Sequence, residues 1–137
     1  MSRSAWHIRT SAVVLAWLTA AAVAAAMHRQ LPAATWLMVH LLLLGAVTTA
    51  LLVWSWHFSV AVLRAPQSPT RRGEAVRIIT ANLGALGVVA GVLANTPIVT
   101  ILGAVAVAAA VAAHVGALVI RLRRALPSRF AFTVRAY

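Results

Sequence analysis

The stretch VHLLLLGAVTTALLVWSWHF, residues 39 to 58, carries no charged side chain between its two histidines, His40 and His57. An α-helix needs about 20 predominantly apolar residues to cross the hydrocarbon core of a bilayer. Read outward, the run extends from about Pro32 to Leu63, which is longer than one crossing requires. A helix of that length either tilts or projects beyond the bilayer at its Trp54–His57 end. Trp36 near one end, and Trp54 and Trp56 near the other, match interfacial aromatic belts. The whole chain agrees with lipid as its solvent. Of 137 residues, 63% are hydrophobic and 9% are charged, against about 25% charged in an ordinary soluble domain.

Three further apolar blocks flank this one. SAVVLAWLTAAAVAAAM, 11 to 27, lies between Arg3 and Arg9 on one side and His28 and Arg29 on the other. Its basic start and alanine-rich end also resemble a signal peptide. The next apolar block follows after a short loop, which favours an uncleaved membrane helix. A polar loop, RAPQSPTRRGE, precedes the third block, and Asn95-Thr96-Pro97 forms the turn to the fourth, which RLRR stops. Helices are therefore expected at about 11–28, 33–63, 75–95 and 98–121, followed by a basic amphipathic tail over 122–137. Residues 1–137 form a single integral membrane domain: an all-α, four-helix transmembrane bundle of up-down-up-down topology. Gly84, Gly87 and Gly91 mark a helix-packing face, Gly87 and Gly91 having the four-residue spacing that lets helix backbones approach.

The arginines set the expected orientation. The net charge is +11 and all twelve cationic residues are arginine. On a soluble chain this would point to nucleic acid. Here the arginines end apolar blocks, so the expected partner is a bilayer with anionic headgroups and not nucleic acid. In a four-crossing topology, eleven arginines fall on one side and only Arg29 on the other. The positive-inside rule then places both termini in the cytoplasm.

Absent residue types exclude most chemistry. There is no cysteine, lysine or aspartate, and Glu74 is the one acidic residue. Disulfides, thiolate metal sites, paired-carboxylate catalysis and a Ser-His-Asp triad all lack a required member. No catalytic residue is expected, and the chain is not read as an enzyme on its own.

The histidines are the remaining candidates. His57 stands seven residues before Arg64 and His114 seven before Arg121, which puts both about 10 Å inside the arginine boundary. Two imidazoles at one depth on facing helices are what a six-coordinate haem b requires, and copper is an alternative. Asn82 lies at a similar level, where it would hydrogen-bond a ligating imidazole rather than the metal. Near the opposite surface, His28 and His40 form a second metal or haem pair. His40 and His57 lie about 25 Å apart and about 100° around an unbroken helix, so they serve different layers. The competing reading treats these histidines as polar residues tolerated near helix ends. His7, beside Trp6, reads as interfacial.

The run WLMVHLLLLGAVTTALLVWSWHF, the arginine-rich loop and RLRRALPSRFAFTVRAY together resemble the N-terminal membrane region of bacterial membrane-bound multicopper oxidase and copper nitrite reductase-like proteins. HLLLLG is loosely similar to histidine-bearing helices of haem-copper oxidase-like proteins. The resemblance implies a multi-pass protein of the bacterial inner (cell) membrane, with His40 and His57 as its carried-over positions. It also implies a cupredoxin-type redox partner on the outer side, because the chain has neither the cysteine nor the sandwich of a cupredoxin. FAFTVRAY looks like the approach to a further helix, so the chain reads as the N-terminal part of a longer architecture or as a split subunit. Two functions are expected on these grounds. One is a membrane module or anchor of a copper- or haem-dependent respiratory or denitrification-type redox system. The other is a structural membrane subunit without cofactor.

Overall fold

A computed structural model describes residues 3–63 and 71–124. All the secondary structure among them is helical. Among the described residues, four runs are long and apolar enough to cross a membrane: Ala5–Ala26, Ala34–Ala61, Arg72–Leu93 and Pro97–Arg123. The first is helix α1 (Arg3–Ala26). The second is continuous but composite: α2 (Ala34–His40), a π-helical segment (Leu41–Val47) and α3 (Thr48–Leu63). The last two are α4 (Arg72–Leu93) and α5 (Pro97–Arg124).

The boundaries depart from the sequence reading. Helix α1 starts at Arg3, not near residue 11, because its polar first turns have partners. The Thr10 hydroxyl bonds back to the carbonyls of Trp6 and His7, and Trp6 packs on the core. Pro32 belongs to the turn before the second span and not to its first helical turn. Ala33 there takes a left-handed conformation, φ 51°, and α2 begins one residue later. Helix α4 begins at Arg72, with Glu74 in its first turn, where a carboxylate suits the positive end of the helix dipole. Pro97 opens α5 at the position where its missing N–H costs nothing. The polar loop over 64–70 and the tail beyond 124 lie outside the described residues.

The turn between α4 and α5 follows from Asn95. It adopts φ 50°, a left-handed conformation that asparagine tolerates better than most residues. The Asn95 N–H then reaches the carbonyl of Val92, and the Thr96 N–H that of Gly91. These two bonds cap the last carbonyls of α4 and reverse the chain.

The π-helical segment answers the opening stretch. Gly45 lies within it and is buried. A Cβ at Gly45 would fall on the indole of Trp17 from α1, so the missing side chain makes the notch in which that ring sits. The wider turn is supported by Thr48, whose backbone N–H and hydroxyl both reach the carbonyl of Leu43, five residues back. The segment lies between His40 and His57, so the 100° offset expected for an unbroken α-helix does not hold.

Helices α4 and α5 form the closest pair. Gly103 of α5 meets the α4 backbone: its Cβ would stand 2.6 Å from the carbonyl oxygen of Gly84 and from the amide of Val88. A Cβ on Gly84 would lie 2.7 Å from the Gly103 oxygen, and one on Gly91 2.5 Å from the Thr100 amide. Gly87 faces the Cα of Gly103. The core proper gathers around Trp17, with Leu37, Leu41, Ala46, Ala85 and Val107. Large apolar residues such as Leu51, Leu83, Ile101 and Val105 point outward, the side that lipid would solvate.

Overpacking a tight helix contact costs about 1–3 kcal/mol. Gly91→Leu and Gly103→Leu should therefore each lower the melting temperature and the monodisperse yield in detergent. Gly116→Leu should leave both unchanged, because nothing lies within 4 Å of that position. Equal behaviour of the three variants would contradict the α4–α5 contact.

Candidate functional site: the arginine end of the bundle

Polar side chains inside the bundle form two groups. The deeper one centres on Asn82. Its Oδ1 accepts from Trp17 Nε1 at 2.5 Å and from Thr49 Oγ1 at 3.2 Å, and its Nδ2 donates to the Ile78 carbonyl at 2.8 Å. Helices α1, α3 and α4 are thus tied at one point. Asn82 was expected near the inner histidines, yet its bonds run to Trp17 and Thr49. The reason is that the Gly45 notch admits an indole at its level.

The second group lies where the N-terminal ends of α1 and α4 meet the C-terminal ends of α3 and α5. Trp6 Nε1 donates to Glu74 Oε1 at 3.1 Å. The Arg71 guanidinium lies 5.5 Å over the Trp6 ring. Trp56 carries two cations, with Arg77 at 4.7 Å and Arg121 at 4.0 Å from its ring centre. Glu74 and Arg77 share one face of α4 by their three-residue spacing, and Arg71 precedes the helix at its N-cap, so one carboxylate is set among several guanidinium groups.

His114 belongs to this group. It is 4% exposed, and its Nε2 lies 2.8 Å from Ser55 Oγ. The Ser55 hydroxyl also lies 2.5 Å from the Leu51 carbonyl, which can only accept. A hydroxyl has one proton, so for both bonds to form, His114 Nε2–H must donate to Ser55. Nδ1 is then a bare acceptor, and it has no partner among the described residues. The ring also lies 6.1 Å from Trp56.

His57 points elsewhere. It follows Ser55 by two residues, or about 200° around the helix, and is exposed. Its ring meets His7 edge-on at 4.8 Å and Trp54 at 5.8 Å. His57 and His114 are therefore not brought onto one slot. The helix period turns the two rings to different neighbours, Ser55 for His114 and His7 for His57. On the other surface, the His28 Nδ1 lies 3.0 Å from the Ala25 carbonyl and the His40 Nδ1 lies 2.7 Å from that of Trp36. His40 also stacks on the Trp36 ring at 3.9 Å. Each of these two makes contacts within its own segment. Among the described residues, no three His, Cys, Asp or Glu side chains cluster as metal ligands.

Sequence reasoning used Arg77 and Arg121 for orientation and Trp56 as an interfacial anchor, and it did not bring them together. The spacing of Arg71, Glu74 and Arg77 was a legible hint. Nothing in the sequence marks Ser55 as the partner of His114, or Trp17 as the partner of Asn82. Comparisons with protein-family models, characterised proteins and solved structures found no match.

Replacing Asn82 with Leu should strand the Trp17 indole N–H and the Thr49 hydroxyl, at a cost of about 1–3 kcal/mol. Trp17→Phe and Asn82→Leu should be non-additive in a double-mutant cycle of detergent unfolding, with a coupling of about 1 kcal/mol. Strict additivity would mean the bond contributes nothing.

Proposed function

We propose that this chain is a non-catalytic, multi-pass subunit of a bacterial inner membrane, with its arginine end in the cytoplasm and a structural anchoring role that needs no cofactor. The observation that supports this most directly is how the interior polar groups are used. Trp6–Glu74, Trp17–Asn82 and Ser55–His114 each join two different helices. Bonds of this kind hold a bundle together in lipid, where a polar side chain without a partner is costly. A redox carrier would instead need paired imidazoles aimed at one slot. His57 and His114 lack that arrangement.

The orientation rests on charge. Arg71 lies over Trp6, and Arg77 and Arg121 lie over Trp56, at the end where α1 and α4 begin and α3 and α5 finish, and a cytoplasmic leaflet attracts such a surface. The likeness to membrane regions that precede cupredoxin domains supplies a class of client for the anchor: a copper oxidoreductase on the outer face.

Two measurements test the reading. Protein purified from membranes should show no reduced-minus-oxidised haem band and no stoichiometric copper. A haem band that disappears in His114→Ala or His57→Ala would overturn it in favour of the redox carrier. Reporter fusions at Asn95 and Tyr137 should give opposite signals, with Tyr137 cytoplasmic, whereas matching signals would contradict the four-crossing orientation.

A further inference from the structure

The arginine end holds donors that the described protein does not use. Arg77 Nε and Nη2 and Arg121 Nη1 are buried from solvent and have no hydrogen-bond partner among the described residues. Both guanidinium groups lie over one ring, that of Trp56, at 4.7 and 4.0 Å from its centre, which holds them no more than about 9 Å apart by those two distances. Stacking uses the face of a guanidinium and leaves its N–H edge without a partner, so a ligand reaches these donors by displacing the side chains that cover them. Two cations held together where water is scarce repel each other more strongly than they would in solution. The nearby carboxylate, Glu74, offsets only part of that charge, and its Oε1 already accepts from Trp6.

We infer that Arg77 and Arg121 form a binding site for a phosphate group, floored by Trp56. A phosphate has the planar pairs of oxygens that guanidinium forks bind in a bidentate manner, and its charge relieves the repulsion between the two arginines. The bare Nδ1 of His114, beside the same ring, adds an acceptor. It suits a ligand that also offers a hydroxyl, as both a glycerol headgroup and hydrogen phosphate do. The site lies at the end of the membrane-spanning helices, the level at which lipid phosphates stand. An anionic phospholipid and free inorganic phosphate share this chemistry, and the experiment below separates them.

Thermal unfolding of the full chain in neutral detergent tests this. Dioleoylphosphatidylglycerol in the micelles should raise the melting temperature by roughly 5 °C at saturation, and dioleoylphosphatidylcholine should not. The rise should vanish in the double variant Arg77→Gln, Arg121→Gln and persist in Arg123→Gln, an exposed arginine at the same end. A comparable rise with inorganic phosphate, over chloride at equal ionic strength, would assign the site to the free anion. Should the double variant fail to fold, native mass spectrometry of the wild type decides: phosphatidylglycerol retained in preference to phosphatidylcholine supports the site. Equal retention of the two lipids overturns it, as does a folded double variant that responds like the wild type.

Discussion

The indole of Trp17 reaches from α1 across the notch at Gly45 to the side-chain oxygen of Asn82 on α4. Much of the bundle depends on this one crossing. An indole N–H placed among apolar helices needs an acceptor, and the ring is too large to pass a neighbouring helix that carries a side chain at the point of contact. Gly45 removes that obstacle. The π-helical turn around it is stabilised by Thr48, and Thr49 adds a second donor to Asn82. Asn82 in turn is steadied by its own bond to Ile78. Three helices are thereby fixed in depth and rotation.

The remaining helix is positioned by a different principle. Lipid gives apolar surfaces no hydrophobic reason to leave it, so α5 must gain from close packing with α4. Gly84, Gly87 and Gly91 on one helix and Gly103 on the other bring the two backbones into direct contact. That seam sets which face of α5 looks inward. His114 comes to lie beside Ser55, and Arg121 beside Trp56.

The arginine end is a consequence of both constraints. Once α1 is tied to α4 and α5 is seated on α4, Arg71, Arg77 and Arg121 converge on Trp6 and Trp56. Aromatic faces accept cations without giving up helix packing, with each contact contributing about 0.5–2 kcal/mol. The same convergence leaves N–H edges of two guanidinium groups unused. Structural and binding properties therefore share the same residues.

Composition and block structure were enough, from the sequence by itself, to determine four apolar helices, since length and hydropathy alone decide whether a segment suits lipid. The small-residue spacing on α4 was equally legible, because it is a property of a linear pattern. Depth along a helix could also be counted, and the count sets His57 and His114 at one expected level. Direction around the helix could not. It depends on which faces the neighbours take, and that was decided by the Trp17–Gly45–Asn82 crossing and the glycine seam. Those contacts turn His114 inward to Ser55 and His57 outward to His7, and they assemble Arg77, Arg121 and Trp56 from three helices whose order in the chain gives no sign of their meeting.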